Sequence, residues 1–350
     1  MSKHLLEMSL AEVKAAMEAA GEKSFRAAQL MDWVYKKGVT DPAAMTNLPA
    51  GLAATFPALT SRVAARRKST DGAVKLLLEL ADGERIETVL IPTADRATAC
   101  VSTQAGCGIR CAFCATGRDG FRRDLSAGEI LEQLVHLRQT AARRITHVVF
   151  MGMGEPLLNL DALIVAIQSI IDLERFAISA RHVTVSTVGI PKAIRRLAKE
   201  NLPITLAISL HAPTDALRRQ LVPLAATVQL EELLSAAEEF FRSRNREITL
   251  EYVLLAGIND TNVCAEGLAN IAHRLRCNVN LIRYNHVDAT DTFRRPAQPA
   301  VKAFADRLLR RGVNVHVRQS RGLDADAACG QLRQRTRDEN QGAEAQGETD

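Results

Sequence analysis

The sequence predicts an α/β fold: a partial (β/α) barrel with a small N-terminal helical domain and a β-hairpin extension. Three observations predict it. Up to about residue 60, apolar side chains recur at helical spacing. Two apolar runs then flank the turn Asp82-Gly83. From residue 97 onward, short apolar runs alternate with helical patterns, which is typical of parallel strands joined by right-handed helical crossovers.

The N-terminal part is expected to form short helices within a domain of residues 1–72. Leu10, Val13 and Met17 lie at helical spacing, and a second helical stripe ends at Gly38. Cations and aromatic side chains in this domain could contact RNA, so we interpret it as an accessory RNA-binding domain. A small hydrophobic core is an equally good interpretation of the aromatic side chains.

Residues 73–96 are predicted to form the hairpin, because runs 74–80 and 86–91 flank an Asp-Gly turn. Residues 97–331 are predicted to form the barrel. Its strand-like runs are 98–103, 146–151, 182–187, 204–210, 247–255, 278–284 and 313–318. Helical stretches lie near 126–139, 160–174, 191–200, 215–220, 230–243, 261–275 and 298–311. Chemistry in such barrels gathers at the C-terminal ends of the strands.

The composition allows a large apolar core and predicts no membrane segment. Hydrophobic residues make up 47 % of the 350 residues and aromatic ones only 4 %. No apolar run reaches the roughly 18 residues of a membrane helix, and the first residues lack the apolar stretch of a secretory signal. Seven cysteines, an odd number, argue against a secreted disulfide framework. We expect a cytoplasmic monomer without membrane association.

Charge is distributed unevenly along the chain. The net charge is +5, and many cations are bunched at Arg66-Arg67-Lys68, Arg122-Arg123, Arg143-Arg144, Arg242/Arg244/Arg246, Arg294-Arg295 and Arg310-Arg311. Bunched cations can neutralise phosphates, which favours an RNA partner, although a solvated helix end is the simpler interpretation of any single cluster. Residues 332–350 contain almost no apolar side chain, and we predict a disordered tail there.

A three-cysteine loop follows the first strand of the barrel. Cys107, Cys111 and Cys114 have the spacing C-x3-C-x2-C. Three thiolates are one fewer than an electron-transfer four-iron cluster uses, and the missing ligand would leave one iron open to a substrate. Zinc and buried structural thiols are the alternatives, but structural zinc usually requires a second cysteine pair, which this sequence lacks.

Polar and glycine residues follow the other strand-like runs. They are Gly154, Glu155, Ser186, Ser209, Leu210, His211 and Asn285. Each alone has a structural explanation, such as a turn glycine or a helix cap. Their common place at strand ends predicts one rim, where glycine lets backbone approach a ligand closely and Glu155 can accept a hydrogen bond from an ammonium group.

Several longer motifs accompany the three-cysteine loop. They are Gly21-Glu22-Lys23-Ser24-Phe25-Arg26, Met45-Thr46-Asn47-Leu48-Pro49, Cys100-Val101-Ser102-Thr103-Gln104-Ala105-Gly106 and Asp326-Ala327-Ala328-Cys329-Gly330-Gln331-Leu332. With the cysteine spacing, they resemble the radical S-adenosylmethionine superfamily, and most closely the RlmN/Cfr family of RNA adenosine methyltransferases. The resemblance covers nearly the whole chain. It implies a radical S-adenosylmethionine core for the barrel.

The resemblance also implies cofactors and their ligands. Cys107, Cys111 and Cys114 would hold a [4Fe–4S] cluster, whose open iron would chelate the amino and carboxylate groups of S-adenosylmethionine. The rest of the cofactor pocket would be lined by Gly154, Glu155, Ser186, Ser209, Leu210, His211 and Asn285.

By the same resemblance, Cys329 would be methylated by one S-adenosylmethionine. A second molecule, cleaved by an electron from the cluster, would give a 5′-deoxyadenosyl radical that takes hydrogen from this methyl group. The resulting carbon radical would add to adenine, whose amidine carbons do not suit polar methyl transfer. Cys100 would then attack the sulfur of Cys329 and release the product, leaving a disulfide, and Glu87 would accept a proton. Without the resemblance, Cys100 would be interpreted as a core thiol and Glu87 as a solvated strand residue.

The family methylates one adenosine of 23S rRNA at C2 (RlmN type) or C8 (Cfr type), and some C2 enzymes also modify a tRNA adenosine. Many C2 enzymes have a Pro-aromatic-Pro-Gly run where this chain has Asn285-His286-Val287-Asp288. The run Arg283-Tyr284-Asn285 at this point and the run Val317-Arg318-Gln319-Ser320 lean toward the Cfr type or a divergent subgroup, yet we favour C2. We expect an electron donor such as a flavodoxin. The remaining alternatives are a radical enzyme with a small-molecule substrate and an RNA-binding iron–sulfur protein.

Overall fold

The structure is a computed structural model that describes residues 3–49, 51–287 and 292–333. The described residues form the strands β1 (Arg62–Lys68), β2 (Val74–Glu79), β3 (Arg85–Pro92), β4 (Ala97–Cys100), β5 (Gln104–Gly106), β6 (Phe121–Asp124), β7 (His147–Phe150), β8 (Val183–Thr187), β9 (Thr205–Ser209), β10 (Ile248–Leu254), β11 (Cys277–Arg283) and β12 (Val315–Arg318). Ten of them make one sheet in the order β1-β2-β3-β4-β7-β8-β9-β10-β11-β12.

The sheet has an antiparallel part and a parallel part. Strands β1 to β4 pair antiparallel in sequence order. From β4 through β12, every neighbouring pair of the sheet is parallel. Because β1 and β12 are the two ends of the order, the sheet does not close on itself among the described residues. This confirms the predicted partial (β/α) barrel with its hairpin extension.

The helices are α1 (Leu10–Ala19), α2 (Arg26–Met31), α3 (Leu52–Thr55), α4 (Ala115–Arg118), α5 (Ala127–Thr140), α6 (Leu160–Ile171), α7 (Pro191–Lys199), α8 (Asp215–Leu221), α9 (Leu230–Arg244), α10 (Asn262–Arg274) and α11 (Gln298–Arg310). Helices α5 to α11 correspond to the seven predicted helical stretches, and they form six crossovers because α8 and α9 both lie between β9 and β10. Several of these helices begin with a side chain that caps the first turn. In α5, for example, Ser126 and Glu129 form a reciprocal capping box. A large aliphatic core runs between these helices and the sheet.

Strand β1, the ribbon of β5 and β6, and the short helix α4 were not predicted. Strand β1 lies inside the residues assigned to the N-terminal domain, yet it pairs with β2. Its side chains are almost all exposed and four of its seven residues are Lys or Arg, so it shows no alternation of apolar and polar residues. The second element is the small antiparallel ribbon of β5 and β6, which flanks the three-cysteine loop.

A buried carboxylate is one of the contacts that hold the N-terminal segment against the barrel. Glu132, in the first barrel helix α5, is completely buried. It accepts hydrogen bonds from His4 at 2.7 Å, from the backbone N–H of Thr60 at 2.5 Å and from that of Ser61 at 2.9 Å. A carboxylate with this many donors holds two chain segments against one helix.

The last described residues belong to the folded body. Leu332, where the predicted tail was to begin, is buried, while residues 334–350 lie outside the described part of the chain, so disorder there stays a prediction. In the ranges that the structure describes, none of the helices has the length and apolarity required to cross a bilayer.

Candidate active site

The three-cysteine loop is held as a compact unit between β5 and β6. The backbone N–H of Cys107 donates to Gly120 O at 2.8 Å, and that of Ala112 to Leu221 O at 3.0 Å. Gly106 has φ +76°, and a Cβ there would lie 1.9 Å from Gly120 O. Only glycine therefore fits where the loop leaves β5.

A second, smaller apolar core lies beneath this loop. The three cysteines pack against buried residues that include Ile109, Phe113, Leu221 and Val253. Burial raises the pKa of Cys107 to about 12 and also raises that of Cys111. Thiolates at these positions therefore need a nearby positive charge, which bound metal supplies.

The loop faces a cavity that contains about 980 Å³ of space. The three cysteines of the loop line this cavity. Six of the seven predicted rim residues and Cys329 line it as well. The predicted residues that share this cavity are Cys107, Cys111, Cys114, Gly154, Glu155, Ser186, Ser209, His211, Asn285 and Cys329. Residues on or just after the six parallel strands β7 to β12 thus converge with the three-cysteine loop and the C-terminal segment, as expected for the strand ends of a barrel.

Glu155 is a buried carboxyl group fixed by backbone donors. Its two oxygens accept from the N–H groups of Leu157 at 3.0 Å and Val188 at 2.9 Å. Burial raises its pKa despite these bonds. Gly154 beside it has φ +98°, and a Cβ there would lie 2.5 Å from Cβ of Gln104. Gly154 is therefore required for the close packing of this strand end against Gln104, and Glu155 is held in place beside it.

His211 is a neutral side chain at the cavity wall. It adopts φ +58°, and its Nδ1 accepts the N–H of Val253 at 3.1 Å. Burial, aided by the positive charge of Arg218, lowers its pKa to about 3. Nearby, the hydroxyls of Ser186 and Ser209 are 3.3 Å apart.

Leu210 is the one predicted rim residue outside the cavity. It is fully buried in the large core, and its backbone N–H donates to Glu251 O at 3.0 Å. Leu210 points away from the cavity although its neighbours Ser209 and His211 line it. The reason is that successive side chains of an extended chain alternate in direction.

The segment that carries Cys329 is attached to the barrel mouth. Its carbonyl accepts from Asn285 Nδ2 at 3.1 Å, and the next carbonyl, of Gly330, accepts from Ala115 N–H at 2.8 Å. The thiol is exposed, but its exposed surface lines cavity walls. Surrounding protein atoms still desolvate it and raise its pKa to about 11.

Glu87, the predicted proton acceptor, lies in a buried ion pair beneath that segment. Lys75 Nζ is 2.8 Å from the Glu87 carboxylate, and both side chains are about 5 % exposed. The same lysine donates to Asp326 O at 2.9 Å, and Glu87 accepts from the N–H of Arg333 at 2.9 Å. Two points that flank Cys329 are therefore held by one pair on the hairpin. Glu87 is not among the side chains lining the cysteine cavity.

Cys100 lines a second cavity, which contains about 670 Å³ of space. Cys329 lines this second cavity as well as the cavity of the three-cysteine loop. Both cysteines are free thiols, and the predicted disulfide is therefore not supported as a feature of this fold. The predicted bond between Cys100 and Cys329 would form only during turnover, and the two thiols are not bonded in this structure.

Comparisons with known proteins bear on both parts of the chain. The model of the radical SAM superfamily matches residues 101–265, and the model of the ribosomal RNA large subunit methyltransferase N-terminal domain matches residues 3–58. The probable dual-specificity RNA methyltransferase RlmN of Thermosynechococcus vestitus is 47 % identical over 94 % of this chain and 98 % of its own length.

The chain belongs to the RlmN family of radical SAM methyltransferases. RlmN proteins of Synechococcus sp. and Gloeobacter violaceus are each 43 % identical to it, over 94 % and 96 % of this chain and 95 % and 97 % of their own lengths. A crystal structure of a radical SAM methyltransferase from Sphaerobacter thermophilus superposes with a TM-score of 0.91, at 40 % identity, over 95 % of this chain and 99 % of that one. The protein is an enzyme with a [4Fe–4S] cluster and S-adenosylmethionine as cofactors.

The donor set of the cavity fits these RlmN-family cofactors. Three of the four irons of such a cluster would each take one thiolate, and the three thiols of the loop line a common space. Across the described ranges, no three His, Cys, Asp or Glu side chains lie close enough together to hold a single metal ion. The buried guanidinium of Arg218 acts on the Cys111 thiol and adds positive charge beside this sulfur.

Sequence reasoning missed three charged residues that line the first cavity, Glu251, Arg283 and Arg318. Arg318, the last residue of β12, lines both cavities. Its Nη1 is 3.4 Å from the buried carboxylate of Glu251, which lines the first cavity. The rule that selected the other rim residues, a polar side chain at a strand end, applies equally to Arg318.

Proposed function

We propose that this enzyme methylates C2 of an adenosine in 23S rRNA, and an adenosine of tRNA as a second substrate, with Cys329 as the carrier of the methyl carbon. The observation that supports this most strongly is the place of Cys329. Its thiol borders the cavity of the cluster-type cysteines on one side and the cavity of Cys100 on the other. A carrier needs access to both the donor and the acceptor.

In this proposal, Cys107, Cys111 and Cys114 bind the cluster and leave one iron for the methionine part of the nucleoside. When bound, the cluster and S-adenosylmethionine supply the methyl group and the one-electron chemistry that activates it. The rim residues Gly154, Glu155, Ser186, Ser209, His211 and Asn285, with the backbone at Leu210, orient the cofactor. Fixed donors and acceptors of this kind place reacting groups before the chemistry begins.

Cys100 then separates the product from the enzyme. Its thiolate attacks the sulfur of Cys329 and frees the methylated base, and a transient disulfide forms between the two. We assign Glu87 as the proton acceptor for the hydrogen that leaves the base. Its carboxylate is held by Lys75 at 2.8 Å, directly beneath the segment that carries Cys329.

The second cavity is where we place the target adenine. Enzymes that react at a base take it out of its stack into a pocket, and this cavity has apolar walls at Ile91, Val149 and Ile282. The cationic strand β1 and the N-terminal helices supply charges for RNA phosphates. We further propose a cytoplasmic monomer that receives electrons from a donor such as a flavodoxin.

Methylation at C8 is the second candidate function. It is favoured by the run that follows β11, where Asn285 leads into His286-Val287 rather than a proline-rich turn. Asn285 touches both the cofactor cavity and the second cavity, so this run borders the place where we put the adenine. Mapping the methyl position on rRNA modified by this enzyme decides between the two.

The test is mass analysis of the peptide that contains Cys329, after purification without oxygen. We expect a gain of one methyl group there, and with Cys100→Ala we expect a covalent protein–RNA adduct that accumulates because nothing attacks Cys329. Cys264→Ala, at a buried thiol of α10 outside both cavities, is the matched control and should turn over normally. Active enzyme without methyl on Cys329, or free RNA and normal turnover with Cys100→Ala, would contradict the proposal.

A further inference from the structure

Arg318 lies where the two cavities meet. It ends β12 and lines both spaces, together with Cys329 in each and with Cys100 in the second. About 40 % of its side chain is exposed, and that exposed part borders the cavities. No other Arg or Lys of the described residues lines both.

The guanidinium of Arg318 contacts two side chains of the barrel. Its Nη1 is 3.4 Å from Oε2 of Glu251 and 3.7 Å from Sδ of Met151. Glu251 is in turn held by Asn280 Nδ2, which donates to its other oxygen at 2.9 Å. These contacts keep one end of the guanidinium, Nη1, on the side of Glu251 and Met151.

Cys100 is a poor nucleophile without help. Its thiol is buried, and burial raises its pKa to about 12, whereas thiol–disulfide exchange requires the thiolate. The groups that act on it are the Cys329 thiol, which opposes ionisation, and two that favour ionisation: the charge of Arg318 and the N–H of Met151. Arg318 itself faces Glu251 and the same two thiols.

We propose that Arg318 is a positioning residue for product release, which stabilises the thiolate of Cys100 as it approaches Cys329. This inference rests on the proposed function, in which Cys100 attacks Cys329. The guanidinium of Arg318 places a positive charge beside a sulfur that burial otherwise keeps protonated. Arg318 also borders Cys329. Its charge therefore stabilises the thiolate of Cys100 at the place where the new sulfur–sulfur bond forms.

The step balances as follows. Cys100 loses its thiol proton, and its sulfur lone pair forms a bond to the Cys329 sulfur. The bond from that sulfur to the methylene carbon on the base breaks, and its electron pair goes to the carbon, which takes up one proton. The products are the methylated base and a disulfide, so both sulfurs are oxidised and the carbon is reduced.

The test measures alkylation of Cys100 by iodoacetamide as a function of pH in the anaerobic, cluster-loaded enzyme, quantified by mass analysis of its peptide. We expect Arg318→Met to slow alkylation about tenfold below the inflection, the effect of one pKa unit. Arg318→Lys should retain most of the rate because it keeps the charge. Arg321→Met is the matched control, since Arg321 lines the second cavity but is not among the groups that act on Cys100.

Loosening of the fold would act in the opposite direction. It would speed the alkylation of the buried thiol of Cys264, which serves as an internal reference in every digest. Coincident pH profiles for wild type and Arg318→Met would overturn the proposal. Equal slowing by Arg318→Met and Arg318→Lys would also overturn it, because charge would then not be the cause.

A second measurement separates this inference from the function on which it rests. During turnover with RNA, Arg318→Met should prolong the life of the protein–RNA adduct, measured as the decay of the adduct after it has formed and therefore independent of how much Cys329 is methylated. If Cys100→Ala traps no adduct, the proposed release step fails whatever Arg318 does. If Cys100→Ala traps the adduct and Arg318→Met resolves it at the wild-type rate, only the role of Arg318 fails.

Discussion

Replacing Glu132 by glutamine tests how the N-terminal domain is held. Burial alone would raise the pKa of this carboxyl group, but hydrogen bonds from His4, Ser61 and Thr60 outweigh it and lower the pKa from 4.5 to about 2. Glutamine keeps the shape of the side chain but removes the charge, and it presents an N–H group to neighbours that are themselves donors.

The magnitude follows from the linkage between ionisation and folding. A shift from 4.5 to about 2 corresponds to about 3 kcal/mol, at 1.36 kcal/mol per pKa unit. Because the folded pKa lies below the unfolded one, this stabilisation is fully present above about pH 4.5. It is lost progressively as the pH falls toward 2. At pH 7 the variant should therefore lack all of it.

The assay is urea unfolding of the cluster-free protein, followed by circular dichroism at pH 7 and at several values below 4.5. We expect Glu132→Gln to lose about 3 kcal/mol at pH 7 and the difference from wild type to shrink at low pH. Glu18→Gln, at an exposed position of α1, controls for loss of one negative charge. A Glu132→Gln protein as stable as wild type at pH 7 would refute this explanation of domain attachment.

Two further changes address the site. Lys75→Met leaves the carboxylate of Glu87 buried without its cation, which should lower the free energy of unfolding by about 3–5 kcal/mol and speed proteolysis near Cys329. The double variant Lys75→Met/Glu87→Met should recover most of this stability. No recovery would contradict a mutual ion pair. Gly154→Ala places a Cβ 2.5 Å from Gln104 and should weaken binding of S-adenosylmethionine at least tenfold in equilibrium dialysis. Gly257→Ala, also at positive φ but with nothing within 4 Å, is its control, and equal binding by both variants would count against the cavity as the cofactor site.

Much of the barrel could be predicted from local patterns. Each crossover helix carries its own 3.6-residue periodicity, and each parallel strand is a short apolar run, so the alternation is visible without knowing which strands pair. The convergence of the rim also followed, because parallel strands end at one edge. Gly154, Ser186 and Asn285 are far apart in sequence yet line one cavity.

What could not be predicted depends on contacts between distant segments. Lys75 is a cation on a strand with the pattern of a half-buried hairpin, and only the approach of Glu87 and the segment near Asp326 explains its burial. Glu132 resembled an ordinary polar position on a helix, because its donors come from residues 4, 60 and 61. Strand β1 gave no signal, since an exposed basic edge strand has no apolar face.

The central claim is that three thiols hold a four-iron cluster with one iron open to S-adenosylmethionine. Electron paramagnetic resonance of the reduced, anaerobically reconstituted protein tests it directly, with and without the nucleoside. We predict a [4Fe–4S] signal that changes when S-adenosylmethionine is added, that is lost with Cys107→Ala, Cys111→Ala or Cys114→Ala, and that persists with Cys329→Ala. A signal that ignores the nucleoside, or a cluster that also requires Cys329, would contradict the account.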